Sequence, residues 1–399
     1  MSDPSTARHY PFSEPHRLTV EPLYECLRAD QPVLRVQMPY GEPAWLATRY
    51  DDVRTVLADP RFSRAAATGR DEPRLRSQEN QETILSLDPP EHSRLRRLVA
   101  RAFTPKRVDE LRPRASEVAD ELLDAMIASG SPADLVEHLA VPLPVTVICE
   151  LFGVPADDRH LFRRWSEAVV STTSLTPDQS LEYLANMYAY VADMVAQRRT
   201  EPTPDLVSAL VRARDEDNSR LTEEEMVVLA LTLIAAGHET TVTQIPNFVY
   251  VLLTHPDQWA ELRAHPELVP GAVEELMRFV PISLGPLFAR YATEDVELGG
   301  VTVKAGEAVV PSISSANRDG AVFADPDAVD LHRPANPHVG FGHGVHHCLG
   351  AQLARMELQV ALDGIIRRLP GLRLAVAEED LAWKTGSLAR GLEALPVAW

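Results

Sequence analysis

Phe341-Gly342-His343-Gly344-Val345-His346-His347-Cys348-Leu349-Gly350 places one cysteine among three histidines and three glycines. After the cysteine, Leu349, Leu353, Met356, Val360 and Ile365 recur at roughly helical spacing. The sulfur is therefore expected at a helix N-terminus, where unpaired amides and the helix dipole favour an anion and hence a thiolate. The glycines allow positive φ and a close approach of backbone to a flat ligand. A lone cysteine is more often a small buried hydrophobe than a ligand, and it is the surrounding glycines that reverse this. The histidines also suggest zinc, but zinc ligands usually come as separated pairs, and the sequence has no second cluster.

A second polar constellation, Ala236-Gly237-His238-Glu239-Thr240-Thr241, interrupts an apolar stretch that begins at Met226. Thr222-x-x-Glu225 is a capping-box pattern, and the apolar run behind it reads as a buried helix reaching about Leu253. At about 1.5 Å per residue such a helix spans roughly 48 Å. Pro246 should kink or end it. Polar groups in a buried helix are costly unless they serve something, and glycine weakens it further. Taken alone, the Thr240 hydroxyl could simply bond back to the Ala236 carbonyl, with Glu239 paired elsewhere.

The pattern Phe-Gly-x-Gly-x-His-x-Cys-x-Gly resembles the haem-binding signature of the cytochrome P-450 family, and Ala-Gly-x-Glu-Thr-Thr is similar to its oxygen-activation motif. The resemblance implies that Cys348 is the axial thiolate ligand of a b-type haem. Phe341, Gly342 and Gly350 would shape the loop under the porphyrin, with Ala236 against the haem and His346 on a propionate. A thiolate pushes electron density onto iron and favours O–O cleavage. By the same resemblance Thr240 supports the bound O2 and its proton delivery, and Glu239 relays protons from solvent. His92 and Arg96, four apart on a helix expected from about 89 to 103, would hold propionates, as would Arg290. Glu275-x-x-Arg278, completed by Arg333 ahead of Asn336-Pro337-His338, would form a buried ion-pair network that fixes the cysteine loop without touching the reaction. Leu233, Leu284, Leu287, Phe288, Ser387 and Leu388 would line the substrate pocket. Arg94, Arg97 and Arg101 are left as a basic patch for an acidic electron donor.

The rest of the chain must position these groups. It has 399 residues with 39 Lys plus Arg against 58 Asp plus Glu, a net charge of -19, which argues against nucleic acid or an anionic membrane as a general partner. Three scattered cysteines imply no disulfide framework. There is no apolar leader and no run of about eighteen apolar residues. Residues 1 to 20 read as an irregular lead-in, Trp45 to Thr48 as a strand, and Asp51 to Leu57 as a short helix. Residues 64 to 84 lack periodicity and read as a mobile loop. From 115 to 215 amphipathic helices follow one another, with breaks at Gly130-Ser131-Pro132 and Gly153-Val154-Pro155. Cys149, Met187 and Tyr188 read as packing residues, and Val296 to Val303 as a hairpin turning at Gly299-Gly300.

The resemblance thus implies one domain over 1–399, mostly α with small β-sheets, in which haem b lies between a long distal helix and the cysteine-loop helix. It implies a cytoplasmic, monomeric haem-thiolate monooxygenase with no nucleic-acid or membrane partner. Such an enzyme inserts one oxygen atom from O2 into an apolar small molecule of secondary metabolism. Electrons come from NAD(P)H through ferredoxin reductase and ferredoxin. Two alternatives remain: an oxidative coupling enzyme that forms C–C or C–O bonds, and a non-catalytic haem sensor, against which the Glu239–Thr240 pair counts.

Overall fold

The computed structural model describes residues 7–79, 82–217 and 220–399. Residues 1–6 of the expected lead-in and residues 80 and 81 of the expected loop lie outside the described residues. Along the chain the strands are β1 (Arg8–His9), β2 (Val33–Gln37), β3 (Ala44–Ala47), β4 (Phe62–Ser63), β5 (Ala133–Asp134), β6 (Arg290–Ala292), β7 (Val296–Leu298), β8 (Val301–Val303), β9 (Ala308–Pro311), β10 (Arg373–Leu374) and β11 (Pro396–Ala398). The helices are α1 (Leu23–Asp30), α2 (Tyr50–Ala58), α3 (Glu91–Ala100), α4 (Pro105–Ser129), α5 (Pro142–Phe152), α6 (Arg159–Val170), α7 (Pro177–Thr200), α8 (Leu206–Glu216), α9 (Glu223–Leu253), α10 (Pro256–Ala264), α11 (Val269–Phe279), α12 (Ile313–Ala316) and α13 (Ala351–Arg368). The architecture is mostly helical with small sheets, and the chain divides into two compact units.

The first unit comprises residues 1–89 and 274–348. Its six-stranded sheet has the order β1-β2-β3-β9-β6-β4, with β2 and β3 antiparallel and β3 parallel to β9. Successive strand side chains point to opposite faces, and here both faces are buried. Val33, Ala47 and Val309 pack with α2 residues Val53 and Val56, whereas Leu34, Leu46 and Val310 pack with Tyr24 and Leu27 of α1. The hairpin β7–β8 turns at Gly299 and Gly300 as the sequence implies, both with positive φ. The segment from residue 64 departs from the expectation of a mobile loop. Arg64 is buried and pairs with Glu72 at 3.0 Å, and Tyr40 bridges to Arg74. A buried arginine carries its own anchors, and no hydrophobic periodicity announces them.

The second unit comprises residues 90–273 and 349–399 and is almost wholly helical, with a small sheet β10-β11-β5. Helix α9 begins on the expected capping box: Thr222 accepts from the Glu225 amide, and Glu225 accepts from the Thr222 amide. It runs through Pro246 without a break, because residues 241–252 are buried and packing offsets the roughly 3 kcal/mol cost of an interior proline. Gly237 has a packing role that the pattern alone does not show. A Cβ there would come within 2.6 Å of Ile148 Cδ1, so the glycine lets α9 approach α5. The helix breaks at Gly130 and Gly153 are as expected, and α3 starts at Glu91, after both prolines, and ends at Ala100 with a 3-10 turn to Phe103. Cys149 and Met187 are fully buried, but Tyr188 is 41% exposed and is no packing residue. Burial pushes the Cys149 thiol up to about 12.

Candidate active site

In the first unit the cysteine loop is shaped by its glycines and packs against α2. Gly342 and Gly344 take φ of +73° and +71°, whereas Gly350 has an ordinary φ of -84° and caps α13. Gly344 lies so close to α2 that a Cβ would sit 2.5 Å from the Leu57 carbonyl oxygen. Burial, helped by the Arg54 guanidinium 3.3 Å from His343 Nε2, holds that imidazole's pKa below its usual value. The Cys348 amide donates to the Phe341 carbonyl at 2.8 Å, and the Cys348 side chain is exposed. The cysteine stands two residues before the Gly350 cap, just outside the first turn of α13. Phe341 packs its ring against His338 and His347, and His346 is half-buried in a 3-10 turn.

The approach to this loop is tied down by the expected ion-pair network. Glu275 is completely buried and accepts from Arg278 Nη2 at 2.7 Å, Arg278 Nε at 2.9 Å and Arg333 Nε at 2.9 Å. Asn336 Nδ2 and the Asp330 amide complete its shell at 3.1 and 2.9 Å. Burial by itself would raise the carboxyl's pKa, but the bonds from Arg278 and Arg333 outweigh it and hold the pKa below the ordinary range.

Arg290, on β6, is buried and donates to the Phe288 carbonyl at 2.9 Å. No carboxylate lies within ion-pair distance of it among the described residues. Burial, with the neighbouring Arg64 charge, pushes its pKa down to about 9, only partly opposed by Asp88 and Glu72. A buried guanidinium in this state asks for an anion. Phe288 beside it has a positive φ of 58° and is 39% exposed, while Leu284 and Leu287 are half-buried.

In the second unit the polar stretch of α9 is uneven. Ala236 and Thr240, one turn apart, are exposed in the middle of α9, with Leu233 half-buried and His238 fully buried. Thr240 Oγ1 donates to the Ala236 carbonyl at 3.4 Å, the local back-bond that a mid-helix threonine adopts. Glu239 Oε1 lies 3.4 Å from Lys384 Nζ. His92 of α3 is buried and Arg96 half-buried one turn along. Arg94 is engaged by Glu225 of α9 and by the Arg220 carbonyl, so that only Arg97 and Arg101 remain exposed of the three arginines. Ser387 is buried, and its hydroxyl accepts from the Ala389 amide at 3.1 Å. Leu388 is half-buried. Sequence reasoning missed Lys384, Arg64 and Glu357. Glu357 on α13 is completely buried, and burial raises its pKa well above the carboxylate range, offset only in part by the Thr241 hydroxyl.

Comparison with known proteins decides what these parts belong to. The cytochrome P450 family model matches residues 182–370. Mycinamicin IV hydroxylase/epoxidase from Micromonospora griseorubida is 55% identical over 392 residues, covering 98% of each chain. The chain belongs to the cytochrome P450 family. Nocardicin C N-oxygenase from Nocardia uniformis subsp. tsuyamanensis is likewise 55% identical over 394 residues, with 98% of each chain covered. The crystal structure of cytochrome P450mel 107F1 with biaryl coupling reactivity superposes with a TM-score of 0.94 at 45% identity, covering 99% of this chain and 100% of that one. This P450 is a monooxygenase, and its family implies haem-thiolate chemistry with O2 and electrons from a reductant. The residues present fit such a group: an exposed cysteine on a glycine-shaped loop, and a buried arginine lacking a carboxylate.

Proposed function

We propose that this P450 oxygenates an apolar small molecule in natural-product biosynthesis, with haem b as its prosthetic group and Cys348 as the axial thiolate. The whole chain, 1–399, serves as one catalytic domain, which the match over 98% of the length of both close relatives supports. The haem supplies oxygen activation at a thiolate-ligated iron. Arg290, His92, Arg96 and His346 hold its carboxylate arms, and Phe341, Gly342, Gly350 and Ala236 lie against its faces. The exposed Ala236–Thr240 face, next to Glu239 and directly ahead of the fully buried run 241–252 of α9, is the observation that carries the catalytic reading.

Thr240 Oγ1 places its proton on the Ala236 carbonyl, which leaves the hydroxyl oxygen able to accept a further hydrogen bond. Glu239 takes protons from solvent and passes them inward. Glu275, Arg278 and Arg333 act only by holding the approach to the cysteine loop. Leu233, Leu284, Leu287, Phe288 and Leu388 supply apolar wall. Electrons arrive from NAD(P)H through a ferredoxin and its reductase, docking at Arg97 and Arg101. The protein works as a cytoplasmic monomer.

A second reading, oxidative coupling, is favoured by the likeness to a P450 with biaryl coupling reactivity. The test is a spin-state titration of the ferric protein with mycinamicin IV, nocardicin C, cyclic peptides, terpenoids and linked phenols, followed by product analysis of every ligand that shifts it. Products heavier by one oxygen atom support oxygenation. Products that have lost two hydrogens in forming a new ring bond replace it with coupling. Ligands that bind without raising NADPH consumption above background would leave a haem-based sensor.

A further inference from the structure

The chain has only three lysines, Lys106, Lys304 and Lys384, among 39 cationic side chains. One of them meets the acid of α9. Lys384 Nζ lies 3.4 Å from Glu239 Oε1 and 3.1 Å from Thr243 Oγ1. Glu239 and Thr243 are one turn apart, so a single ammonium spans both. Side-chain exposure is 22% for the lysine and 16% for the glutamate, so water still reaches the pair. The lysine comes close because the backbone after it does. The Lys384 amide donates to the Gly391 carbonyl at 2.9 Å, and a Cβ on Gly391 would meet Thr243 Cγ2 at 2.7 Å.

The turn that carries Lys384 is pinned at its other end. The Gly386 carbonyl accepts from the amides of Thr172, Thr173 and Ser174 at 2.7, 3.0 and 3.0 Å, and the Leu388 amide donates to the Val170 carbonyl at 2.7 Å. These residues form the connection from α6 to α7. A Cβ on Gly386, whose φ is +65°, would stand 2.6 Å from the Ser174 amide nitrogen. One short turn therefore joins the α6–α7 connection to the carboxylate of Glu239. Arg163 of α6, which also feels the charge of Glu239, is already taken by Glu137 at 2.8 Å.

We propose that Lys384 is the positioning residue of Glu239, and that the 384–388 turn ties the carboxylate's place to the α6–α7 connection. This rests on the reading of Glu239 as the proton relay. A lysine suits the task because its ammonium is a compact charge on a flexible stem, which can let one oxygen go while keeping Thr243. A guanidinium would bind the carboxylate in a fixed fork.

The experiment compares haem-loaded wild type, Lys384→Met, Lys384→Arg and Glu239→Gln. NADPH oxidation without substrate is measured in H2O and D2O with a surrogate ferredoxin and its reductase, and amide exchange over 172–174 is followed in the ferric protein. Lys384→Met should slow oxidation about five- to tenfold with a larger solvent isotope effect, and Lys384→Arg should recover part of the rate. Exchange at Thr172 to Ser174 should quicken about two- to fivefold in both Lys384→Met and Glu239→Gln, the effect of losing a weak, half-exposed ion pair. If Lys384→Met matches wild type in rate and isotope effect while Glu239→Gln is slow, the positioning role is overturned and the relay stands. If Glu239→Gln also matches wild type, the relay reading falls together with it. Unchanged exchange would overturn the link to the α6–α7 connection.

Discussion

Replacing Glu275 by glutamine tests the network that holds the cysteine loop. The carboxylate accepts from two arginines, an asparagine and a backbone amide, and the side chains of Arg278 and Arg333 are 0% and 6% exposed. The glutamine keeps the shape but removes the charge, leaving two guanidinium ions buried without a counter-charge. Breaking a buried pair in this way costs about 3–5 kcal/mol. With a urea dependence of about 3 kcal/mol per molar, the midpoint of unfolding should fall by about 1–1.7 M. The pH dependence carries the sign. Because the folded carboxyl lies below its unfolded value of about 4.3, the wild-type advantage is complete above that pH and is lost as pH falls through the lower folded value. Urea melts of both proteins at neutral pH and near pH 4 measure it. A midpoint shift below about 0.3 M at neutral pH, or a gap that widens on acidification, would refute the reasoning.

Three further outcomes follow from the same geometry. Arg290→Met should weaken haem retention by at least about tenfold while leaving the cofactor-free protein no less stable, because burial already penalises the charged guanidinium; haem transfer to apomyoglobin and apo-protein melting measure the two effects. Thr240→Ala should divert reducing equivalents from product to peroxide, by about tenfold in the ratio of the two, measured by peroxide and product assay beside NADPH consumption. Glu357→Gln should stabilise the protein at pH 7–8. The buried carboxyl keeps its proton while the unfolded one releases it above about 4.3, so wild type loses stability as pH rises, and the gain should shrink toward pH 4.5; melting temperatures across that range measure it.

Much of the site was legible because its residues break local rules. A glycine-rich loop around Cys348, and glutamate and threonine within an apolar helix, stand out from any packing pattern. The Glu275 network was legible only through the motif, since three-residue spacing alone describes countless weak surface pairs. What stayed hidden depends on contacts distant in sequence. Lys384 meets Glu239 across 145 positions, and nothing in Ala382-Trp383-Lys384-Thr385 marks it except the rarity of lysine. Arg64 looked like loop because a buried arginine and a solvated one share the same letter. Arg94 looked available to a partner until Glu225 claimed it. Pro246 reads as a helix breaker locally, and packing around α9 overrides it.

The central claim is that Cys348 is the thiolate ligand of a haem, and the difference spectrum of the reduced carbon monoxide complex tests it most directly. Wild type should show the long-wavelength band of a thiolate-ligated haem. Cys348→Ser, still loaded with haem, should lose that band. A band that survives the substitution would contradict the account.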